Sequence, residues 1–204
     1  MNLLLLSSWR YFSPDLHRIF DRPLKDLDVV RIPTAAFGHN TQEWLEPEKA
    51  WLQGHMKSFA DFDLRGKMVD EVRQALAEAD IIYVTGGNTY FLLEHVQKSG
   101  FAKVLKECLN RGAWYMSASA GSILACPDID HIRPMNDPSC ARLDDTKGLG
   151  LVPFLIMPHT DQPAFATLTQ KIAREQHQTI LGLRDDQVLC IRDGYVEVLQ
   201  QRQS

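Results

Sequence analysis

The sequence predicts an α/β protein, with a mostly parallel central sheet, helices on both faces and an antiparallel hairpin at the C-terminal edge. Three observations lead there. Short apolar runs alternate with amphipathic stretches, the order produced when parallel strands are joined by crossover helices. Ile81-Ile82-Tyr83-Val84-Thr85 is almost continuously apolar, as a strand buried on both faces must be. Near the end, Asp193-Gly194 separates two strand-like stretches, the strongest two-residue hairpin signal in the chain.

Taken in order, residues 3–6 and 29–32 are the first two strands, each followed by a polar or Gly/Pro-bearing loop. Pro47 suits a helical first turn. Behind it Trp51, Leu52, His55, Met56 and Phe59 recur on one side at helical spacing, and Met68, Val69, Val72, Ala75, Leu76 and Ala79 do so in the next segment. Both segments are predicted to be helices packed on the sheet. The strand 81–85 ends in Gly86-Gly87-Asn88, followed by a helix from about residue 89 to 97. Lys98-Ser99-Gly100 stops that helix, and another covers 101–110. Residues 113–117 are a strand that runs directly into Ser119-Ala120-Gly121-Ser122 and a short helix. A further apolar run covers 149–157, residues 179–183 form a strand, and 188–192 with 195–199 flank the hairpin turn. The tail 200–204 is expected to fray.

Composition narrows the function. The chain has 204 residues, 26 acidic against 22 basic, a formal charge of -4 and 45% hydrophobic residues. That suits a single globular domain over 1–204. No basic face is available for a phosphate backbone, so a nucleic-acid partner is not expected. No apolar run approaches the roughly 18–20 residues that cross a bilayer. The opening Met-Asn-Leu-Leu-Leu-Leu-Ser-Ser lacks the basic flank and cleavage site of a signal peptide and reads as a buried strand, which points to the cytoplasm. Cys108, Cys126, Cys140 and Cys190 contain no C-x-x-C pair. They read as free thiols, mostly in the core, with no zinc site.

In an open α/β sheet, ligands bind beyond the carboxyl ends of the strands, so the loops after Val84, Ser117 and Met157 carry the chemistry. Ser117-Ala118-Ser119-Ala120-Gly121 is a small-x-Ser-x-Gly pentad at a strand-to-helix junction. Such a turn exposes the serine hydroxyl at the top of the sheet, over a helix N-terminus. The competing reading of Ser119 is an ordinary helix cap. Gly86-Gly87-Asn88-Thr89 can aim backbone N–H groups at an oxyanion or a phosphate. It has neither Walker nor dinucleotide spacing, so nucleotide binding is the weaker reading. Pro158-His159-Thr160 offers a histidine to take the proton from Ser119. His17, His39, His55, His95, His131 and His177 are less well placed, in polar loops or on helix faces. Asp185 is the first choice for the acid that orients His159. The order Ser, His, acid differs from that of α/β-hydrolases, but triads are defined by geometry.

Together these pieces resemble the peptidase E (aspartyl dipeptidase) family of serine peptidases, with a class I glutamine-amidotransferase-like, flavodoxin-like three-layer fold. The likeness spans almost the whole chain. It rests on residues 1–7, on Ile82-Tyr83-Val84-Thr85-Gly86-Gly87-Asn88-Thr89-Tyr90, and on Ser119-Ala120-Gly121-Ser122-Ile123-Leu124-Ala125-Cys126-Pro127. Met157-Pro158-His159-Thr160 and Gly182-Leu183-Arg184-Asp185 complete it. The resemblance implies a Ser119 nucleophile, a His159 general base, an oxyanion hole from the Gly87 and Ala120 amides, and a substrate-orienting Asn88. It implies a small peptide substrate and no cofactor. The family usually carries Glu where Asp185 stands. A second acid is considered essential in the loop after the nucleophile helix, and Asp137 is its nearest match, with Asp128 and Asp130 as competitors. An arginine that holds the substrate's N-terminal aspartate is expected after the histidine, but Leu168 stands there. Lys171, Arg174 and Arg133 are the basic residues that could substitute. Cys126, about two helical turns beyond Ser119, is too far to act as an elbow nucleophile. The acidic loops 127–137 and 143–146 are expected to wall the site and to offer a carboxylate to a substrate amine. A binding protein that keeps the scaffold, and an esterase or amidase with the same serine, are the rival readings. The free edge of the hairpin leaves monomer and homodimer both open.

Overall fold

The four leucines of the opening strand mark the centre of the molecule. The computed structural model describes residues 1–175 and 178–201; the expectations for His177 and for 202–204 fall outside them. Strand β1 (Asn2–Leu6) buries Leu3, Leu4, Leu5 and Leu6 fully, which requires apolar cover on both faces. It pairs in parallel with β5 (Trp114–Ala118), and β5 with β4 (Ile81–Val84). Beyond β4 lie β2 (Asp28–Ile32) and the outer strand β3 (Ser58–Asp61), also parallel. On its other side β1 pairs antiparallel with β8 (Gln187–Arg192), and β8 with β9 (Tyr195–Gln200). The sheet thus has seven strands in the order β3-β2-β4-β5-β1-β8-β9, an α/β sheet with the antiparallel hairpin at its edge.

Because strand side chains alternate between faces, the central strands feed two separate cores. Leu3, Leu5, Ile82, Val84 and Tyr115 pack with α3 (Val69–Ala75), α4 (Thr89–Ser99), α5 (Phe101–Asn110) and α6 (Ala120–Leu124). Leu4, Leu6, Ile81, Tyr83 and Met116 pack on the opposite face against α1 (Trp9–Phe12), the following helical turns and α2 (Leu45–His55). Cys108, Cys126 and Cys190 are buried and Cys140 is exposed, all as free thiols. No helix among the described residues is long and apolar enough to cross a membrane.

Several elements differ from the sequence expectation. Helix α2 stops at His55, so Phe59 lies in strand β3 instead of on the helix. Lys57 N donates to Leu27 O and Phe62 N to Arg31 O, drawing this segment onto the sheet edge. The apolar run 149–157 supplies a strand only at β6 (Leu155–Met157), which pairs with β7 (Ile180–Gly182) in a separate two-stranded parallel sheet. Gln200 belongs to β9, and its side chain and the Gln201 amide both bond to Asp186, so this part of the tail is held. Helix α7 (Pro163–Glu175) fills a stretch to which the sequence reading assigned no element.

The register decides where chemistry can gather. Leu6 lies beside Ala118, Val84 beside Ser117, and Leu6 beside Val188 at the start of antiparallel β8. One edge of the sheet therefore collects Ser7, Gly86-Gly87, Ser119 and the turn that precedes β8. The small sheet is extended by Leu183 N to Met157 O and Thr160 N to Leu183 O, which brings the segments bearing His159 and Asp185 together.

Candidate active site

Ser119 follows the buried strand β5 with φ 47° and ψ -107°. A non-glycine residue held there costs on the order of 1–3 kcal/mol and persists only where its surroundings over-determine it. Here Ser119 N donates to Leu6 O at 3.1 Å, while its carbonyl accepts from Ser122 N and Ile123 N in the first turn of α6. Gly121 makes the approach possible, because a Cβ there would lie 2.5 Å from the Val84 carbonyl oxygen. Ser122 Oγ donates to Leu6 O at 2.7 Å and lies 3.0 Å from Ser117 Oγ. The small polar residues flanking Ser119 thus tie the bend to β1. Although Ser119 occupies the position before α6, its hydroxyl makes no capping hydrogen bond.

That hydroxyl lies 2.9 Å from His159 Nε2, and His159 Nδ1 lies 2.5 Å from Asp185 Oδ1. With Nδ1 donating to the carboxylate, Nε2 is the free acceptor for the serine proton. His159 is also in the left-handed region, at φ 59°, and Phe165 of α7 packs edge-on against its ring with centroids 5.4 Å apart. Both ends of the pair are shielded, at 21% and 17% side-chain exposure. Burial alone would raise the Asp185 carboxyl, but hydrogen bonds from His159 and Ser7 and the nearby imidazole outweigh it, so Asp185 sits below the usual aspartate value and ionised at neutral pH. Its amide donates to Asp161 Oδ1 at 3.2 Å.

The turn after β4 faces this serine. A Cβ on Gly86 would lie 3.3 Å from Ser119 Cβ, and one on Gly87 would lie 2.2 Å from the Ala35 carbonyl oxygen. Gly87 is at φ 143°, so only glycine fits this turn. Neither the Gly87 nor the Ala120 amide donates to another described residue, which leaves both N–H groups available beside the hydroxyl. Asn88 Oδ1 caps α4 by accepting from Tyr90 N and Phe91 N, and its Nδ2 donates to the Asp137 carbonyl at 2.9 Å. Asn136 Oδ1 accepts from Thr89 N. The 136–137 loop is therefore hung from the glycine turn.

The acids considered alongside Asp185 are engaged elsewhere. Asp137 accepts from Ser139 N and Oγ, which lowers its carboxyl. Asp128 binds Thr146 Oγ1 and Asp130 binds Arg133 and Tyr90. Leu168 is partly buried on α7 against the core. Arg133 is tied to Asp130, while Lys171 and Arg174 lie exposed on α7. Cys126 is fully buried, with its thiol pushed up to about 12 by burial, so it is not a nucleophile at neutral pH. Among the described residues no group of three or more His, Cys, Asp and Glu is arranged to hold a metal ion. Sequence reasoning passed over Ser7, Asp161 and Phe165. The i, i+3, i+7 spacing of Phe165, Leu168 and Ile172 behind Pro163 was the signal for α7 and its contact with the site.

The pattern that defines peptidase family S51 matches residues 3–199. The chain belongs to this family. An uncharacterized peptidase of Listeria innocua is 32% identical over 92% of this chain and 95% of its own. Peptidase E of Streptomyces coelicolor is 35% identical over 95% of this chain and 79% of its own. The crystal structure of a candidate peptidase E from Listeria monocytogenes superposes with a TM-score of 0.88 at 29% identity, covering 98% of each chain. As an S51 member the chain is a peptidase, built on the fold of these relatives.

Proposed function

We propose that this S51 peptidase is a serine-type dipeptidase or exopeptidase that hydrolyses small peptides. Ser119 is the nucleophile, His159 the general base and then acid, Asp185 the carboxylate that orients it, and the Gly87 and Ala120 amides the oxyanion hole. The observation that carries this reading is the continuous Ser119–His159–Asp185 hydrogen-bond line of 2.9 and 2.5 Å on a strained strand-to-helix turn.

Ser119 Oγ attacks the scissile carbonyl carbon as its proton passes to His159 Nε2. The resulting oxyanion is met by the Gly87 and Ala120 N–H groups, and Asp185 stabilises the imidazolium through Nδ1. Collapse breaks the C–N bond, and His159 returns the proton to the leaving amine. Water then repeats the sequence on the acyl-enzyme: its proton goes to Nε2, the acid is released and the proton returns to Ser119. One oxyanion donor contributes roughly 3–4 kcal/mol to such a transition state. We assign recognition of the substrate's free amine to the acidic loops 127–137 and 143–146. Asp137 is its candidate carboxylate, on a loop fastened to Asn88.

The test is fluorophosphonate labelling read by mass spectrometry, run with a panel of X-Leu dipeptides that includes Asp-Leu and their N-blocked forms. Labelling confined to Ser119 with cleavage of free dipeptides is expected. Labelling with ester but no peptide turnover would move the assignment to an esterase or amidase. No labelling and no turnover would leave a binding protein on this scaffold, and equal cleavage of N-blocked dipeptides would remove the amine-capture role.

A further inference from the structure

Ser7 lies one residue beyond β1 and is fully buried. Its Oγ donates to Asp185 Oδ1 at 2.9 Å and accepts the His159 backbone N–H at 2.7 Å. The same Asp185 oxygen receives His159 Nδ1 at 2.5 Å. A hydroxyl has one proton to donate, so both of these roles of Ser7 are fixed. The three residues close a ring that runs from the imidazole to the carboxylate, to the serine hydroxyl and back to the histidine's own backbone.

We infer that Ser7 is a positioning residue for the triad, holding the His159 backbone in its left-handed conformation and fixing which Asp185 oxygen faces the imidazole. This rests on the serine-peptidase reading above. The physical case has three parts. A backbone at φ 59° in a non-glycine residue relaxes unless it is held, and the Ser7 hydroxyl is the acceptor for that residue's amide. Second, Ser7 is itself immobile, because β1 is buried on both faces and Ser7 N donates to Gln187 O at the start of β8. The reference point for the histidine is therefore the centre of the sheet, while His159 and Asp185 both come from the smaller β6–β7 sheet. Third, a hydroxyl that donates to the carboxylate draws density from the oxygen facing Nδ1. Its removal leaves a more basic carboxylate, which holds the imidazolium more tightly and raises the pH at which Nε2 becomes free to accept the serine proton.

The experiment measures the rate of fluorophosphonate labelling of Ser119 against pH for the wild-type chain, Ser7→Ala, Asp185→Asn and the double variant, with thermal melts to confirm folding. Ser7→Ala is expected to label at least about tenfold more slowly at neutral pH and to move the midpoint of the acid limb upward. On the Asp185→Asn background the same change is expected to cost at least about threefold less, since its partner carboxylate is gone. Should alanine at this buried position fail to fold, Ser7→Cys, close in volume but a weak donor, is read the same way. A wild-type rate in the variant, an unmoved midpoint or an equal loss on both backgrounds overturns the inference. Absence of labelling in the wild-type chain would instead overturn the triad reading on which it rests.

Discussion

Asp185 and Glu48 are both shielded carboxylates inside hydrogen-bonded clusters, yet they are pushed in opposite directions. Asp185, at the edge shared by β1, β5 and β8, is drawn below the ordinary aspartate value because bonds from His159 and Ser7 outweigh its burial. Glu48, on α2, accepts from Tyr83 Oη at 2.8 Å and lies 3.6 Å from Arg31 Nη1. There burial wins over both partners and lifts the carboxyl from the ordinary 4.5 to about 7. The difference lies in how each cluster closes. Arg31 gives its bidentate fork to Asp61, at 2.6 and 3.0 Å, and a further bond to Leu45 O, leaving Glu48 Oε2 buried without a hydrogen bond. At the other edge the strain sits in the backbone of Ser119 and His159, and the Gly87 and Ala120 amides have no partner among the described residues. A buried polar cluster alone is therefore weak evidence for a site. Convergence on the carboxyl edge, strained φ and backbone donors without a partner among the described residues distinguish the one from the other.

The sharpest separation of the two regions comes from Ser119→Ala. It is expected to lower kcat/KM for a cleaved dipeptide by about 10⁴-fold or more, with unfolding free energy in urea changed by less than about 1 kcal/mol, since the Cβ and the bend are kept. Arg31→Ala should do the reverse. Removing one partner of a buried pair strands Glu48 and costs about 3–5 kcal/mol of stability by urea unfolding, while the labelling rate of Ser119 in the folded fraction stays within about twofold. Loss of labelling in folded Arg31→Ala would show that the clusters are coupled across the sheet.

Legibility followed the range of the interaction. The glycine turn and the serine bend were readable because the backbone itself demands small residues: Gly87 would strike Ala35 O and Gly121 would strike Val84 O if either carried a Cβ. The hairpin was equally local, with Asp193 and Gly194 both at positive φ. Strand β3 was missed because it is a four-residue edge strand, largely exposed, whose one apolar ring continued the periodicity of the helix before it. Helix α7 buries only Ile172, so its apolar stripe was faint. Ser7 belongs to the opening segment that carries the resemblance, but no role could be read for it there, since its hydroxyl partners lie 152 and 178 residues away.

The opposite shifts also make opposite demands on pH. Glu48 has a folded value near 7, above its unfolded 4.5. Its contribution is complete below 4.5, declines as pH rises toward 7 and is gone above it, on the order of 3 kcal/mol across that window. Urea unfolding at pH 5 and pH 8 is expected to show this loss in the wild-type chain and a flatter profile in Glu48→Gln, which keeps an acceptor for Tyr83. Asp185 works the other way, since its folded value lies below 3.8. Its contribution is present above 3.8 and fades as pH falls through the folded value. A wild-type profile as flat as that of Glu48→Gln would mean that Arg31 keeps Glu48 ionised, and the contrast between the clusters would collapse.

The smallest effect concerns substrate choice, and it follows from where the molecule has placed its cations. Arg31 is the one buried arginine or lysine among the described residues, and its guanidinium is taken up by Asp61, Leu45 O and Glu48. Helix α7 sets Phe165 against His159 and turns Leu168 and Ile172 toward the core, Arg133 is tied to Asp130, and Lys171 and Arg174 stand in solvent. An acidic side chain on the substrate would meet at most a solvated, screened charge, which contributes about 0–1 kcal/mol. Asp-Leu is accordingly expected to be cleaved no more than about fivefold faster than Ala-Leu, with a ratio that falls toward one as salt is raised. A preference of a hundredfold or more that survives high salt would require a desolvated cation at the site. Alanine variants of Lys171, Arg174 and Arg133 would then identify which of them moves in to supply it.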